Sequence, residues 1–209
     1  MQPEPELRAD RIRLQESLRG RGIGAAALAA LTQVPREAFL PPESRHRAYQ
    51  DRALPIGHDQ TCSQPWILAE ILQTLDLSAG ARVLEVGGGS GYFAALLRAA
   101  GAGRVDSLEL LPELACQARR NLTRAGVEGV VVWAADGRKG LPGRAPFDAI
   151  VVSAAAAGIP PALMEQVGPR GKLICPVTGP ADERLWCLQR DGGGWREVDL
   201  GACRFVPLR

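Results

Sequence analysis

The chain alternates short apolar runs with amphipathic segments over most of its length. Five short runs have the composition of β-strands, and the last three are almost continuously apolar, as expected of strands buried on both faces. These runs are Arg82–Val86, Val105–Glu109, Val130–Ala134, Asp148–Val152 and Lys172–Val177. The helical segments between them are Tyr92–Ala100, Pro112–Ala125 and Pro161–Val167. Repeated strand and helix units predict a doubly wound α/β fold with a parallel sheet.

Both ends of the chain depart from this alternation. Leucines recur at helical spacing through residues 7–18, and a second short helix is expected at residues 25–31. After the last predicted strand of the sheet, two strand-like runs at residues 185–190 and 195–205 flank three consecutive glycines, a pattern typical of a hairpin. We therefore predict an N-terminal helical cap and a C-terminal antiparallel hairpin that closes the sheet.

A stretch of about thirty residues, 34–65, has no clear periodicity and is punctuated by proline. Loops of this length inside a domain are usually functional or disordered. Apolar residues within the stretch, such as Phe39 and Ile56, favour an ordered and packed loop. From the length of the chain we expect a single domain, 1–209, in which residues 1–63 form the cap and a substrate loop and residues 64–209 form the core.

Composition and charge exclude several classes of protein. A net charge of +2, from 25 basic and 23 acidic residues, argues against a nucleic-acid-binding role. The proline-broken N-terminus has no secretory signal, and the most apolar stretch, 149–164, is too short and too interrupted to span a membrane. Five cysteines without a C-x-x-C pair, and only two histidines, predict free buried thiols and no metal site. We expect a cytoplasmic monomer with neither nucleic acid nor membrane as partner.

A glycine-rich turn carries the clearest sign of ligand binding. Strand 82–86 runs directly into the GGGSG turn at 87–91 and then into a helix, so that backbone N–H groups approach a ligand beyond the end of the strand. The glycines also fit a dinucleotide pattern. Glu85 disfavours a pyrophosphate and suits a cationic ligand, such as the amino group of S-adenosylmethionine. The residues predicted to bind the cofactor here are Glu85, Gly87, Gly89 and Gly91.

Two further carboxylates follow neighbouring strands. Glu109 ends the second strand, where a carboxylate can accept hydrogen bonds from ribose hydroxyls, although a solvated strand end is the alternative. Asp136 follows the third strand and could accept from an adenine amino group, with Gly137 allowing the backbone to approach the base. The alternative for Asp136 is a turn-forming role before glycine.

Ordered blocks of sequence resemble the protein-L-isoaspartate (D-aspartate) O-methyltransferase family, in its bacterial form, from about Val34 to Leu208. The blocks are VPREAFLPP, AYQDRALPIG, VLEVGGGSGY, the segment from Ala135-Asp136-Gly137 to Ile150, and RFVPL near the end. The resemblance implies a seven-stranded, mostly parallel class I methyltransferase fold. It also implies transfer of the S-adenosylmethionine methyl group to the α-carboxyl of L-isoaspartyl residues in damaged proteins and peptides. The product S-adenosylhomocysteine is released, and the methyl ester cyclises to a succinimide, which begins repair to aspartate.

The resemblance also implies roles for residues of the long loop. Ser63 matches the family's active-site serine, which can donate to the substrate carboxylate. Spacing alone favours a different role, as N-cap of a helix that begins near Pro65. The residues expected to bind substrate are Ile56, Gly57, Thr61, Ser63 and Gln64. The chain departs from the family pattern near these sites, at Asp59, Cys62 and Gly88.

The implied reaction fits what the chain lacks. A carboxylate with a pKa of about 4 is ionised at neutral pH, so the nucleophile needs no histidine relay and no metal. Three alternatives remain open on the residues alone. They are a related methyltransferase for another peptide carboxylate, a cofactor-binding or peptide-binding protein without catalysis, and an NAD-dependent dehydrogenase.

Overall fold

The computed structural model describes residues 4–209, with side chains described from residue 6. The helices are α1 (Glu4–Gly20), α2 (Ala25–Gln33), α3 (Pro65–Leu75), α4 (Tyr92–Ala99), α5 (Pro112–Arg124) and α6 (Pro161–Glu165). The strands are β1 (Leu54–Gly57), β2 (Gln60–Cys62), β3 (Arg82–Val86), β4 (Arg104–Glu109), β5 (Val130–Ala134), β6 (Phe147–Val152), β7 (Val167–Thr178), β8 (Glu183–Asp191) and β9 (Gly194–Ala202). Within residues 4–209, the helices are all too short or too polar to cross a membrane.

Seven strands form one sheet in the order β5-β4-β3-β6-β7-β8-β9. The five strands from β5 to β7 are parallel, and β8 and β9 continue the sheet antiparallel. The predicted fold class, including the C-terminal hairpin, is confirmed. From β3 the chain winds outwards through β4 and β5, and then returns to β6 on the other side of β3. Ligands bind at such a switch point, outside the carboxyl ends of the strands.

Apolar residues on successive strand positions explain why the central strands of the sheet are buried on both faces. Val83 and Val151 contribute to the hydrophobic cluster that also contains the helical cap, α3 and α4. Their neighbours Leu84 and Ile150 contribute to a second cluster on the opposite face. Because side chains alternate between the faces of a strand, a continuously apolar run is what a central parallel strand requires. The expectation that the run at 130–134 is buried on both faces is wrong, because β5 lies at the edge of the sheet and Val132 is its one buried residue. The cap helix α2 packs against α3 and α4, as its buried leucines predict.

The prediction at the start of β7 is wrong by several residues. The predicted helix extends to Val167 and the predicted strand begins at Lys172, whereas α6 ends at Glu165 and β7 begins at Val167. Gly168, Pro169 and Gly171 interrupt the apolar pattern there. The strand nevertheless continues, because its pairing with β6 has an irregular register at this point. Gly171 faces the β6 backbone too closely for a side chain to fit.

The stretch at 34–65 is ordered, as predicted, but the prediction of a loop alone is wrong. It contains two short 3-10 helices, at Arg36–Phe39 and Pro42–Arg47, and the β1–β2 hairpin. The hairpin turns through two residues of positive φ, His58 and Asp59, at 54° and 56°. Two such residues make the turn that matches strand twist, but Asn-Gly is its usual sequence signal. His-Asp gives no such signal.

Candidate active site

Three neighbouring cavities lie at the carboxyl edge of β3, β4 and β6. The first cavity is lined by the ends of β3 and β4, Gly137 and the C-terminal segment. The second cavity has a volume of about 370 Å³ and is lined by the start of α3 and residues 202–206. The third is small and lies between the glycine turn and β2. Thr61 and Ser153 line all three cavities, so the cavities meet at these two residues. Ser63 lies between the second and the third.

Glu85 is a buried carboxylate on the small cavity. Its Oε2 accepts a hydrogen bond of 2.5 Å from the Ser107 hydroxyl, whereas its Oε1 is buried and has no partner among the described residues. Burial, opposed by the Ser107 hydrogen bond and reinforced by the charge of Glu109, raises the pKa of Glu85 to about 8. A buried oxygen without a partner is destabilising unless a ligand completes it. A cationic group with N–H donors would give Glu85 Oε1 the partner that it lacks.

Glu109 supports the glycine turn as well as lining the first cavity. Its Oε2 accepts from the Gly89 N–H at 2.8 Å, and its Oε1 accepts from the Leu111 N–H at 2.9 Å. The carboxylate therefore joins the end of β4 to the turn that follows β3. It lines the same cavity as Gly137, where a side chain would collide with Val86. Glycine at 137 thus lets the backbone approach the cavity floor.

The N-terminus of α3 is capped by a residue that is distant in sequence, and Ser63 takes no part in this capping. The N–H of Trp66 donates to Asp51 Oδ1 at 2.8 Å, and Arg21 forms an ion pair with Asp51 at 2.7 Å. The residue in the N-cap position is Gln64, whose side chain makes no capping hydrogen bond. The interpretation of Ser63 as an N-cap is therefore wrong. Its hydroxyl is left available to the cavities that it lines.

A buried arginine fixes the backbone around Ser63. Arg36 is fully buried, and its two terminal nitrogens donate to five carbonyl oxygens, at 2.8 to 3.2 Å. The acceptors are Ala48, Gln50, Arg52, Cys62 and Ser63. No carboxylate in the described part of the chain lies within ion-pair distance of Arg36. The positive charge of Arg36 is thus held by backbone carbonyls, one of which is that of Ser63.

Comparison with known proteins shows the family to which this chain belongs. The model of the protein-L-isoaspartate(D-aspartate) O-methyltransferase (PCMT) family matches residues 10–209. The chain belongs to this family. A protein-L-isoaspartate O-methyltransferase from Gloeobacter violaceus is 48% identical over 93% of this chain and 96% of its own length. One from Methanoculleus marisnigri is 45% identical over 100% of this chain and 94% of its own.

Solved structures agree with the family assignment. A protein-L-isoaspartate O-methyltransferase matches 94% of this chain with a TM-score of 0.85 and 29% identity, and this chain spans 65% of that longer chain. A Plasmodium falciparum protein described as the same enzyme, in complex with S-adenosyl-L-homocysteine, gives a TM-score of 0.82 and 25% identity over 94% of this chain and 97% of its own. The resemblance found in the sequence is confirmed. The cofactor of this methyltransferase family is S-adenosylmethionine.

Most of the predicted cofactor residues meet at this site, but two lie outside it. Glu85, Gly87, Gly89, Glu109 and Gly137 all line the first or the third cavity. Gly91 lies outside the three cavities, packs against α5 and has a φ of 83°, which favours glycine. Asp136 also lies outside them. Both of its oxygens accept from Arg138, whose hydrogen bonds lower the pKa of Asp136 to about 2.

The predicted substrate residues divide in a similar way. Thr61, Ser63 and Gln64 line the second cavity, and the Gln64 amide donates to Asp51 at 3.1 Å. Ile56 is buried, and its Cδ1 lies beside Gly89 of the cofactor turn. Gly57 lies at the hairpin turn, outside the three cavities. A contact of these two residues with the substrate stays a prediction.

Ser153 is a site residue that sequence reasoning missed. It follows β6, opposite Gly87 at the switch point, and its Oγ is buried with no hydrogen-bond partner among the described residues. The sequence contained one usable signal, because Ser153 directly follows the fourth predicted strand of the sheet. Arg36 was missed for a different reason, since none of its five acceptors is a side chain.

Proposed function

We propose that methyl transfer to isoaspartyl residues takes place where the three cavities meet, with Ser63 as the residue that binds the substrate carboxylate. The supporting observation is the position of Ser63. Its side chain lies between the cavity of Glu85 and the 370 Å³ cavity, and helix capping does not occupy it. A carboxylate bound in the larger cavity would thus lie next to a cofactor bound along the glycine turn.

The residues of this chain act by positioning in the proposed reaction. S-Adenosylmethionine supplies an electrophilic methyl group on a sulfonium. The isoaspartyl α-carboxylate, with a pKa of about 4, is already ionised and needs no base. The Ser63 hydroxyl donates to one carboxylate oxygen, and the buried charge of Arg36 favours an anion there. The second oxygen is left free for in-line attack.

For the cofactor we propose three contacts. Glu85 Oε1 accepts from the ammonium group, Glu109 accepts from the ribose hydroxyls, and the backbone at Gly137 approaches the adenine. Gly87 and Gly89 form the turn against which the methionine portion lies. A fourth contact, between Asp136 and the adenine amino group, would compete with the hydrogen bonds that both Asp136 oxygens accept from Arg138. Gly91 supports this site through its packing on α5.

The product is the α-methyl ester of an isoaspartyl residue. The ester cyclises to a succinimide when the neighbouring peptide nitrogen attacks the ester carbonyl and methanol leaves, which needs no residue of this chain, and hydrolysis of the succinimide partly restores normal aspartate. The proposed substrates are isoaspartyl-containing proteins and peptides. The open cavity beside α3 and residues 202–206 is compatible with an extended peptide.

We also propose that residues 1–209 form a single domain that acts as a cytoplasmic monomer, independently of nucleic acid and membranes. One hydrophobic cluster contains residues of the cap, of α3 and of the sheet. The exposed large apolar residues found in the described part of the chain lie apart, on α1, after β4 and on β9: Ile12, Leu110 and Val198. Free cysteines suit a reducing compartment.

The proposed function predicts selectivity between two isomeric peptides. With S-adenosylmethionine carrying a labelled methyl group, we expect base-labile label on a peptide containing L-isoaspartate and none on the same peptide containing L-aspartate. The two peptides differ only in which carboxyl joins the chain, so they are matched controls. Label on neither peptide, despite tight binding of S-adenosylhomocysteine, would favour a binding protein without catalysis. If neither peptide is labelled but a peptide with a different carboxylate is, the result would favour a related carboxyl methyltransferase.

A further inference from the structure

We propose that Ser107 is a positioning residue that holds the Glu85 carboxylate so that its second oxygen meets the ammonium group of the cofactor. This inference rests on the proposed role of Glu85. Ser107 and Glu85 are paired directly across the parallel strands β4 and β3. Both are fully buried, and the Ser107 hydroxyl donates to Glu85 Oε2 at 2.5 Å. Oε1 is thus the oxygen that remains for a ligand.

The small cavity beside Glu85 has the size that an ammonium group needs. Its volume is about 30 Å³, enough for a group the size of a water molecule. Glu85, Ser63 and the glycine turn line it. A hydrogen bond to one carboxylate oxygen removes rotational freedom about the terminal torsion, which is otherwise broad. Ser107 therefore selects one orientation of Glu85 before the ligand binds.

Gly88 supports this role for Ser107 independently. The φ of Gly88 lies outside the left-handed region, so its backbone conformation does not require glycine. A Cβ placed there would, however, lie far inside van der Waals contact with Ser107 Oγ. Any side chain at 88 would force the hydroxyl to move. Glycine at 88 leaves the space in which Ser107 reaches Glu85.

The geometry also predicts that cofactor binding releases a proton from Glu85. Ser107 and Glu109 from β4 act on Glu85, and Tyr92 from α4 and Cys62 from β2 line the same small cavity. Burial raises the pKa of Tyr92 far above its usual value, so the phenol stays neutral. With a pKa of about 8, Glu85 is mostly protonated at pH 7 in the free protein. An ammonium group favours the ionised form, so binding releases a proton and affinity increases as the pH rises towards 8.

Calorimetry with S-adenosylhomocysteine tests the proposal without turnover. Binding to the full chain at pH 7, in buffers of different ionisation enthalpy, should be accompanied by net proton release, because the ammonium group favours the ionised form of Glu85. Ser107→Ala should weaken binding about tenfold or more. It should also move the midpoint of the pH profile of affinity upwards, because the hydrogen bond that lowers the pKa of Glu85 is lost. Ser107→Thr, which keeps the hydroxyl, should restore most of the affinity.

Ser44→Ala is the matched control, since Ser44 is equally buried but lies away from the three cavities. It should bind S-adenosylhomocysteine like the wild type. If Ser107→Ala does not fold, Gly88→Ala tests the same contact by displacing the hydroxyl, and the same upward shift is expected.

Unchanged affinity and an unchanged pH profile in Ser107→Ala would overturn the proposal for Ser107. Glu85→Gln separates this result from a failure of the cofactor assignment. If Glu85→Gln binds S-adenosylhomocysteine like the wild type and wild-type binding releases no proton, the proposed role of Glu85 itself is wrong. If only the Ser107 variants behave like the wild type, Glu85 keeps its role and Ser107 has none.

Discussion

Ser63→Ala is expected to lower turnover of an isoaspartyl peptide by about 10- to 100-fold, the usual effect of losing a hydrogen bond to a charged group. The substrate carboxylate keeps the charge of Arg36 behind the loop but loses the donor that orients it. Because the Ser63 hydroxyl caps no helix, the melting temperature should hardly change. Affinity for S-adenosylhomocysteine should also remain, since the proposed cofactor contacts come from other residues. Steady-state kinetics, thermal denaturation and calorimetry measure the three quantities.

Asp51→Ala provides the contrasting variant. It removes the carboxylate that accepts the Trp66 N–H, so it should lower stability by about 1–2 kcal/mol through loss of the cap on α3. The two variants therefore separate catalysis from capping. A large drop in melting temperature for Ser63→Ala, with normal specific activity in the folded fraction, would return Ser63 to a structural role.

Arg36→Met is expected to have the largest effect on stability. The variant leaves five buried or half-buried carbonyls without their donor, each of which destabilises by about 1 kcal/mol or more unless water replaces it. We expect the free energy of unfolding to fall by about 3–5 kcal/mol in denaturant titrations. The protein that remains folded should have a raised KM for peptide, because the backbone at Cys62 and Ser63 is no longer held.

Arg45→Met is the control for Arg36→Met. Arg45 lies in the same stretch of chain and donates to a single carbonyl, that of Leu40, at 3.1 Å. Its replacement should reduce stability by about 1 kcal/mol or less. Equal effects of the two variants would show that the five hydrogen bonds of Arg36 do not hold the loop.

The fold could be predicted from the sequence because its signals are local. The run at 82–86 coincides with β3, and the run at 130–134 coincides with β5, because each is rich in valine and is bounded by turn residues. The glycine turn and the acidic residues at strand ends could be identified because their signals are also local in the sequence. The start of β7 could not be predicted. Glycine and proline at 168–171 normally end a strand, but β7 continues through them with an irregular register against β6.

The polar framework of the site was missed because its partners are distant in sequence. Asp51 caps a helix that begins fourteen residues later, and Arg36 reaches carbonyls up to 27 residues away. Ser107 meets Glu85 through the register of two parallel strands, 22 residues apart. No periodicity encodes such contacts. Ser63 shows the consequence, because its spacing favours the N-cap role that Asp51 in fact fills.

A structure of the protein with S-adenosylhomocysteine and an L-isoaspartyl peptide tests the central claim most directly. We predict the peptide α-carboxylate within hydrogen-bond distance of Ser63 Oγ, in the cavity that α3 lines. The cofactor ammonium group should lie at Glu85 Oε1 and the ribose at Glu109. An isoaspartyl carboxylate bound away from Ser63, or a cofactor that contacts neither Glu85 nor Glu109, would contradict the account.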